Sequence, residues 1–394
     1  MIPTEILRRV GRKAQQLLGP PTTTPPSAAT PDAAATPAPA AQQPSPAPAP
    51  KPARPAVFDS YSAPGEIESL GVLFMPLAEY HGKELGAIGT ALAKMGHSCS
   101  FLVRDELVEV VDPHLGDHVR VLAAKDYDKT LLGQFDSFVA MNDWGPHSRE
   151  IYHLARVREV PSFAKVEGVQ DFTDIDTGRI RLPYMAADHV LLQGPNDIES
   201  LDRKSLHTVG NSNMETAWNE GPTATERNGE VVINSNFTYG VLTDERAGFL
   251  SKAIEAVLAL ELTPVISQHP ADRPLPAELA KYRTDRSMSS MLPTCEAVIT
   301  RFSTVPFEAI AYGTPFAYFN PHFEKVPTFA TPDPAFEHVH TVDDLREALA
   351  TAISNRATYR SVAEPYFRAQ IDMTNVPSAE RAAAAIAEIT YGSS

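Results

Sequence analysis

Short apolar runs of strand length alternate with longer amphipathic segments in the first half of the chain. The candidate strands before a polar gap near Gly221 are "SLGVLFMP", "CSFLV", "FDSFVAMND", "PSFAKVEG", "ADHVLLQG" and "LHTVGN". Among them, "KELGAIGTALAKMGHS" and "SREIYHLARVRE" have the apolar spacing of helices. Strands that alternate with helices are typical of a parallel sheet covered on both faces. The pattern therefore predicts an α/β fold.

The same alternation begins again after Gly221. The candidate strands are "EVVINSNF", "TPVISQHP", "EAVITRF" and "PFAYFN", and the candidate helices are "DERAGFLSKAIEAVLALE", "PFEAIAYG", "TVDDLREALATAISN" and "SAERAAAAIAEITYG". A chain of 394 residues is too long for one ordinary core. We therefore expect two Rossmann-like domains, 57–220 and 221–376, and a closing helix over 377–394.

The first 56 residues have a different composition. Residues 20–56 are mostly Pro, Ala, Thr, Ser and Gln and hold 13 of the 35 prolines, which predicts a disordered tether. Residues 1–19 place apolar side chains on one arc of a helical wheel and cations on the other; the cations are Arg8, Arg9, Arg12 and Lys13. A basic amphipathic helix favours an anionic membrane surface or a partner protein. The alternative is a helix that folds back onto the globular body.

Composition and charge exclude several classes of protein. The net charge of −15 argues against a nucleic-acid binder, because a phosphate backbone requires a basic face. No apolar run approaches the ~20 residues that cross a membrane. Cys99 and Cys295 lie far apart without metal-ligand spacing, which favours a reducing compartment and two buried thiols over a disulfide or a nucleophile.

Polar side chains follow the predicted strands of the first domain. Ligands bind at the carboxyl ends of the strands in open α/β sheets, so these loops are the candidate site. The candidate residues are Glu79 and His81 after the first strand, Asn142, Asp143 and His147 after "FVAM", and Lys165, Glu167 and Asp171 after "PSFA".

The second domain has a matching set of polar groups. Ser303, Thr304 and the first amides of the next helix predict an anion site. Glu308, about one turn further, can accept hydrogen bonds from a ribose. His269, followed by Pro270, can donate to a phosphate oxygen. The alternative is that Ser303 or Thr304 only caps the helix.

These motifs resemble a known enzyme family. "ISQHPAD" and "ITRFSTVPFEAIAYGTP" resemble the His-Pro and Ser-Thr motifs in the donor half of GT-B glycosyltransferases of the capsule-polysaccharide, polysialyl and CDP-glycerol types. "TVGNSNMETAW" resembles their interdomain segment, and "PYMAADHVLLQGPND" a strand of their acceptor half. The resemblance extends over roughly Leu70 to Pro321. It implies two Rossmann-like domains that face each other across a cleft and a nucleotide-activated donor.

The resemblance also implies a reaction. A glycosyl or glycerophosphate group would pass from a nucleotide-sugar donor to a glycan or lipid-linked acceptor, building a surface polysaccharide at the cytoplasmic membrane face without a metal or another cofactor. The expected base is Asp143 or His81, with Glu79 and Glu167 as further candidates. The expected donor-binding residues are His269, Pro270, Ser303, Thr304, Glu308, Asn234, Asn236, Gly210 and Asn211.

A second family shares several motifs. "NDWG", "KVEGVQ" and "VGNSN" resemble segments of the UDP-GlcNAc 2-epimerases. However, "NSNFTYG" stands where those enzymes have a loop rich in His and Arg, and "FSTV" stands where they have Ser-Gly-Gly. An epimerase-like enzyme is therefore the first alternative. A non-catalytic scaffold that binds a nucleotide sugar is the second.

Overall fold

The structure is a computed structural model that describes most of the chain after residue 68. The described residues are 69–116, 119–123, 131–143, 145–169, 184–197, 201, 205–222, 226–237, 242–269, 272–324, 326–329 and 331–392. The predicted amphipathic helix and the predicted tether lie outside them, as do Pro270 and Asp171.

The first domain is built on a seven-stranded parallel sheet with the order β3-β2-β1-β4-β5-β6-β7. Its strands are β1 (Gly71–Met75), β2 (Ser98–Val103), β3 (Val119–Ala123), β4 (Ser137–Ala140), β5 (Ser162–Lys165), β6 (His189–Leu192) and β7 (Leu206–Thr208). In β1, β4 and β5 nearly every residue is buried, because helices and loops cover both faces of the sheet.

The second domain is built on a six-stranded parallel sheet with the order β10-β9-β8-β11-β12-β13. Its strands are β8 (Glu230–Ser235), β9 (Thr263–Gln268), β10 (Arg283–Thr284), β11 (Ala297–Thr300), β12 (Phe316–Phe319) and β13 (Phe336–Val339). The central strands β8 and β11 pair in register from Val231 with Ala297 to Asn234 with Thr300, so their carboxyl ends lie side by side.

Helices pack on both sheets and connect the two domains. In the described part of the chain they are α1 (Glu79–Lys94), α2 (Val108–Val111), α3 (Pro146–Val157), α4 (Ser212–Glu220), α5 (Arg246–Leu258), α6 (Ala277–Ala280), α7 (Met288–Met291), α8 (Val305–Ala311), α9 (Val342–Ser354), α10 (Arg356–Gln370) and α11 (Ser378–Gly392). None of these helices has the length and apolar character that crossing a membrane requires.

The alternating pattern predicted the two parallel α/β domains correctly, but it misplaced some elements. The first helix begins at Glu79, so Glu79 and His81 lie in its first turn and not in a loop. Only residues 76–78 separate β1 from α1. The short strands β3, β10 and β13 were missed, and so was α10, whose internal Pro365 is a residue that usually ends a helix.

The C-terminal helix α11 returns to the first domain. Its alanines, with Ile386, pack beside α1 in the same buried cluster as Val72 and Phe74 of β1. The chain therefore crosses between the domains twice, once through α4 and once between α10 and α11. In addition, Val169 of the first domain belongs to the buried cluster that contains Phe307 of the second.

Gly210 makes the return crossing possible. Its φ of +87° lies in the left-handed region, and a Cβ atom there would come within 2.6 Å of Arg381 Nη2 and of the Asp372 carbonyl oxygen. Gly210→Ala should therefore lower the free energy of unfolding by about 3 kcal/mol, about 1–2 from the backbone and the rest from displaced packing. Gly96→Ala is the matched control, because Gly96 has φ +92° but no atom within 4 Å of the added Cβ. Denaturant unfolding should show a loss near 1–2 kcal/mol for the control, and equal losses would contradict this account.

Candidate functional site

A carboxylate with three donors lies at the carboxyl edge of the first sheet. Glu167, two residues after β5, accepts hydrogen bonds at Oε2 from Asn142 Nδ2 at 2.9 Å, His81 Nε2 at 2.9 Å and the Tyr80 hydroxyl at 3.3 Å. These partners come from α1 and from the loop after β4, so three separate segments meet at one oxygen. The Glu167 side chain keeps 21% of its surface exposed, whereas that of His81 is buried.

The hydrogen bonds of His81 determine its tautomer. The Leu77 backbone N–H, which can only donate, lies 3.1 Å from His81 Nδ1. His81 Nδ1 therefore accepts, and Nε2 carries the hydrogen that is donated to Glu167. With both nitrogens occupied, His81 orients the carboxylate and is poorly placed to take a proton itself.

The donors around Glu167 control its ionisation. Burial alone would raise the pKa of this carboxyl, but the hydrogen bonds from His81, Asn142 and Tyr80 outweigh it and lower the pKa below the ordinary 4.5. The carboxylate is therefore ionised at neutral pH. No described residue donates to its second oxygen, Oε1.

The structure places the other acidic candidates of the first domain differently. Asp143 is buried, and its two carboxylate oxygens accept from the backbone amides of Tyr184 at 3.0 Å and Ala186 at 2.9 Å. Its carboxylate thus holds the segment that precedes β6. Glu79 is 57% exposed and lies within ion-pair distance of Lys83 at 3.7 Å and His114 at 3.5 Å.

The hydroxyl pair of the second domain lies directly after β11. Ser303 Oγ accepts from the Val305 backbone N–H at 3.2 Å, and Thr304 Oγ1 accepts from the Val169 N–H at 3.2 Å. Since each oxygen uses a lone pair on an amide, each hydroxyl hydrogen can still be donated. The contact between Thr304 and Val169 also joins the two domains. Gly168, the neighbour of Val169, packs so closely on Thr304 that no Cβ atom would fit.

Amide side chains at the end of β8 position this hydroxyl pair. Asn234 Nδ2 donates to Thr300 Oγ1 at 3.2 Å, and Asn236 Nδ2 donates to the Phe302 carbonyl oxygen at 2.8 Å. His269 follows β9, and its backbone N–H donates to the Ser235 carbonyl at 3.1 Å. Burial lowers the pKa of His269 although the charge of Asp272 opposes this, so the imidazole favours its neutral form.

Gly210 and Asn211 lie where the chain enters α4. Asn211 caps that helix, its side chain accepting from the Met214 N–H at 3.1 Å. Gly210 packs against the segment that leads to α11. Both residues serve the interdomain connection.

Two buried ion pairs near the site were not anticipated. Arg301 Nε donates to Glu324 Oε2 at 2.8 Å, and Arg301 Nη1 donates to the Asn236 carbonyl at 2.7 Å. Lys165 Nζ lies 3.6 Å from Glu84 Oε1, with both side chains buried. In each case the sequence shows a single charged residue in an apolar run. Such a residue indicates a buried ion pair, because charged side chains are rarely buried unless they are paired.

The described residues contain no group of three or more His, Cys, Asp or Glu arranged to hold a metal ion. Cys99 and Cys295 are free and buried. Burial raises the pKa of each thiol to about 12, so neither is a thiolate at neutral pH.

Glu308 of α8 faces the first domain. Burial raises the pKa of its carboxyl to about 7, and the charge of Lys83 on α1 acts in the opposite direction. No hydrogen-bond partner for this carboxyl occurs among the described residues. It is thus available to a ligand, and its ionised form is the better acceptor for a ribose hydroxyl.

The raised pKa of Glu308 predicts a stability change with pH. A carboxyl whose pKa rises from 4.5 to about 7 on folding favours the fold below pH 4.5, and this contribution is lost as the pH rises through 7. Glu308→Gln should therefore increase the free energy of unfolding at pH 8 by up to about 3 kcal/mol and leave it unchanged at pH 4.5. Denaturant unfolding at both pH values measures this. The exposed Glu79→Gln should change stability by less than about 0.5 kcal/mol at either pH, and a Glu308 variant that behaved the same way would contradict the shift.

Known structures share this two-domain fold. The UDP-GlcNAc 2-epimerase of Methanocaldococcus jannaschii, solved with UDP-GlcNAc and UDP, is 13% identical, with 82% of this chain and 100% of that chain covered and a TM-score of 0.56. The epimerase of Neisseria meningitidis, bound to UDP-GlcNAc, is 12% identical with the same coverage and a TM-score of 0.56. The glycosyltransferase SnogD of Streptomyces nogalater is 16% identical, again with 82% and 100% covered and a TM-score of 0.50.

No protein-family model matches the chain, and no curated protein matches its sequence. At these identities the structural likeness shows the fold alone. The chain thus has the architecture that GT-B glycosyltransferases share with UDP-GlcNAc 2-epimerases: two parallel α/β domains whose strand ends face each other.

Proposed function

We propose that the protein is a glycosyltransferase that uses a nucleotide-activated donor. One observation supports this above the others: the loop that carries Glu167 contacts the loop that carries Ser303 and Thr304, through the 3.2 Å hydrogen bond from Val169 to Thr304. An ionised carboxylate and a pair of hydroxyl donors are thereby carried by two loops that touch at the boundary between the domains. A glycosyl transfer needs a base for the acceptor and donors for the leaving phosphate.

The second domain would bind the donor's phosphates. The hydroxyl oxygens of Ser303 and Thr304 each accept a hydrogen bond from a backbone amide, and each hydroxyl hydrogen can still be donated to a phosphate. His269 would add a third donor. Glu308 would accept from the ribose. Asn234 and Asn236 would act on the phosphates indirectly. Their side-chain amides hold Thr300 and Phe302, the residues that lead to Ser303.

The first domain would activate the acceptor. As the acceptor oxygen bonds to the anomeric carbon, its proton passes to Glu167, and the bond from that carbon to the phosphate oxygen breaks. The negative charge then moves to the leaving phosphate, where the hydroxyl donors stabilise it. Glu167 suits the role of base better than Asp143, whose oxygens are both used on backbone amides. His81 would orient Glu167.

Two variants separate these tasks. Glu167→Gln keeps the shape of the side chain but removes the base, so transfer should fall about 10²–10⁴-fold while nucleotide affinity stays the same. The double variant His269→Ala, Ser303→Ala should instead bind the nucleotide more weakly, because it lacks two of the proposed phosphate donors. Calorimetric titration with CMP, CDP, UDP and GDP measures binding, and acceptor-dependent nucleotide release measures transfer.

The outcomes distinguish the alternatives. Rapid conversion of UDP-GlcNAc to its 2-epimer without an acceptor, seen by NMR, would replace transfer with the epimerase function. Nucleotide binding with no turnover towards any acceptor, and no effect of Glu167→Gln, would favour the non-catalytic scaffold.

We further propose that the acceptor is a surface polysaccharide that grows at the inner membrane face. The sequence of residues 1–19 supports this, because a tethered basic helix would keep the active site close to such an acceptor. The site itself would then be peripheral to the membrane.

The basic arc of residues 1–19 allows a direct test. Replacing the four cations, Arg8, Arg9, Arg12 and Lys13, with Gln should weaken binding to anionic vesicles by about 1 kcal/mol for each charge. Cosedimentation at low and high salt measures this, and salt should weaken the natural chain more than the variant. Turnover of a soluble acceptor should not change. Equal vesicle binding by both chains would exclude the helix as the anchor.

A further inference from the structure

The loop after β12 holds an aromatic side chain in an unusual position. Phe323 is 70% exposed, the most exposed large hydrophobic residue that the structure describes. Its φ of +56° lies in the left-handed region, where a bulky residue is strained. Strain of this kind persists when the surrounding structure imposes it, and it is concentrated at functional sites. Folding alone would favour Gly here.

The loop is held rigidly beside the candidate site. The Asn320 side chain accepts from the Glu324 N–H and donates to the Glu324 carbonyl, both at 2.8 Å. The Glu324 carboxylate is paired with buried Arg301, which also bonds to the Asn236 carbonyl. Arg301 is two residues before Ser303. The position of Phe323 is therefore linked, through buried ionic and hydrogen bonds, to the hydroxyl pair.

Phe323 and His340 form a stacked platform, in which the exposed Phe323 ring lies on the His340 ring. Their rings stack with centroids 4.7 Å apart and planes 18° apart. His340 Nδ1 lies 2.6 Å from the Asn320 carbonyl oxygen, which can only accept, so Nδ1 donates. In the neutral ring the lone pair of Nε2 is then at the ring edge, where it can accept a hydroxyl hydrogen. The Phe323–His340 platform thus presents the apolar outer face of Phe323, which matches the C–H face of a sugar ring. The His340 ring behind it has a polar edge that suits a hydroxyl group.

Strand order locates the platform relative to the phosphate candidates. Strand β12 pairs with β11, and β13 pairs with β12, whereas β8 and β9 lie on the other side of β11. Neighbouring strands are about 4.8 Å apart. Strand order therefore places the loop of Phe323 beside the loop of Ser303, on the side away from His269. A donor sugar is bonded directly to phosphate, while a nucleobase is separated from it by a ribose, so the sugar is the ring that a site beside the phosphates would meet.

We propose that the Phe323–His340 platform binds the pyranose ring of the donor sugar by stacking. This inference rests on the proposed function, since it requires a nucleotide sugar whose phosphates lie at Ser303 and Thr304. It assigns to two residues outside the recognised motifs a role in distinguishing the nucleotide sugar from the free nucleotide.

Calorimetry of the full chain tests the platform. The probes are UDP-N-acetylglucosamine, GDP-mannose and CMP-sialic acid, each beside its free nucleotide. For the nucleotide sugar that binds, Phe323→Ala should weaken affinity about three- to tenfold and change that of the matched nucleotide by less than twofold. Phe323→Tyr should keep the natural affinity. Leu258→Ala, at an exposed position at the end of α5 (half of its surface is accessible), is the control and should change neither.

A second variant separates ligand binding from folding. Phe323→Gly removes the ring and also the left-handed strain, so it should unfold at the same or a higher temperature and still lose sugar affinity.

Three results would overturn the inference, in different ways. Unchanged nucleotide-sugar affinity in both Phe323→Ala and Phe323→Gly would remove the platform and leave the proposed function intact. An equal loss for the nucleotide sugar and the free nucleotide would show that the ring holds the nucleobase. Failure of the natural chain to bind any probe would overturn the proposed function and this inference together.

Discussion

The contacts of the buried Glu84 carboxylate are the interactions on which the position of the connecting helix α4 depends. The carboxylate accepts from the Ser212 hydroxyl at 2.6 Å and from the backbone amides of Ser212 and Asn213, the first residues of the connecting helix α4. It also lies 3.6 Å from the buried ammonium group of Lys165, at the end of β5. Helix α1, strand β5 and helix α4 are thus joined at one carboxylate. Helix α1 carries His81, strand β5 ends two residues before Glu167, and helix α4 leads into the second domain.

A charge pair at this depth is costly unless every partner is satisfied. Burial lowers the pKa of Lys165, and the negative charges of Glu84 and Asp197 act against that shift. The N-terminus of α4 supplies further donors to Glu84, so the carboxylate is stabilised by hydrogen bonds as well as by charge. The cost of burying these groups favours one position of α4 against the first domain, because the Glu84 carboxylate meets both Lys165 and the first amides of α4 there.

The second domain uses the same principle at the opposite side of the cleft. Arg301 and Glu324 are buried as a pair, and they connect the strand end that carries Ser303 with the loop that carries Phe323. Asn236 is bonded to both Arg301 and Phe302. The groups that would contact a ligand are therefore held by buried polar contacts behind them. A site built in this way keeps its geometry when it is empty, which is the condition for electrostatic preorganisation.

The amino-acid sequence determined the fold class and indicated the polar loops in which the candidate site was sought, and the reason is physical. Apolar periodicity is a local property, so the two parallel α/β domains and the polar loops after their strands could be read from it. Short strands such as β10 and helix α10 with its internal Pro365 could not, because tertiary packing outweighs local preference there. His81, Asp143 and Glu167 were each recognised as chemical groups. Only the tertiary structure decided that His81 and Glu167 pair while Asp143 binds backbone amides, because hydrogen-bond partners 40 or more residues apart are chosen by how the segments pack.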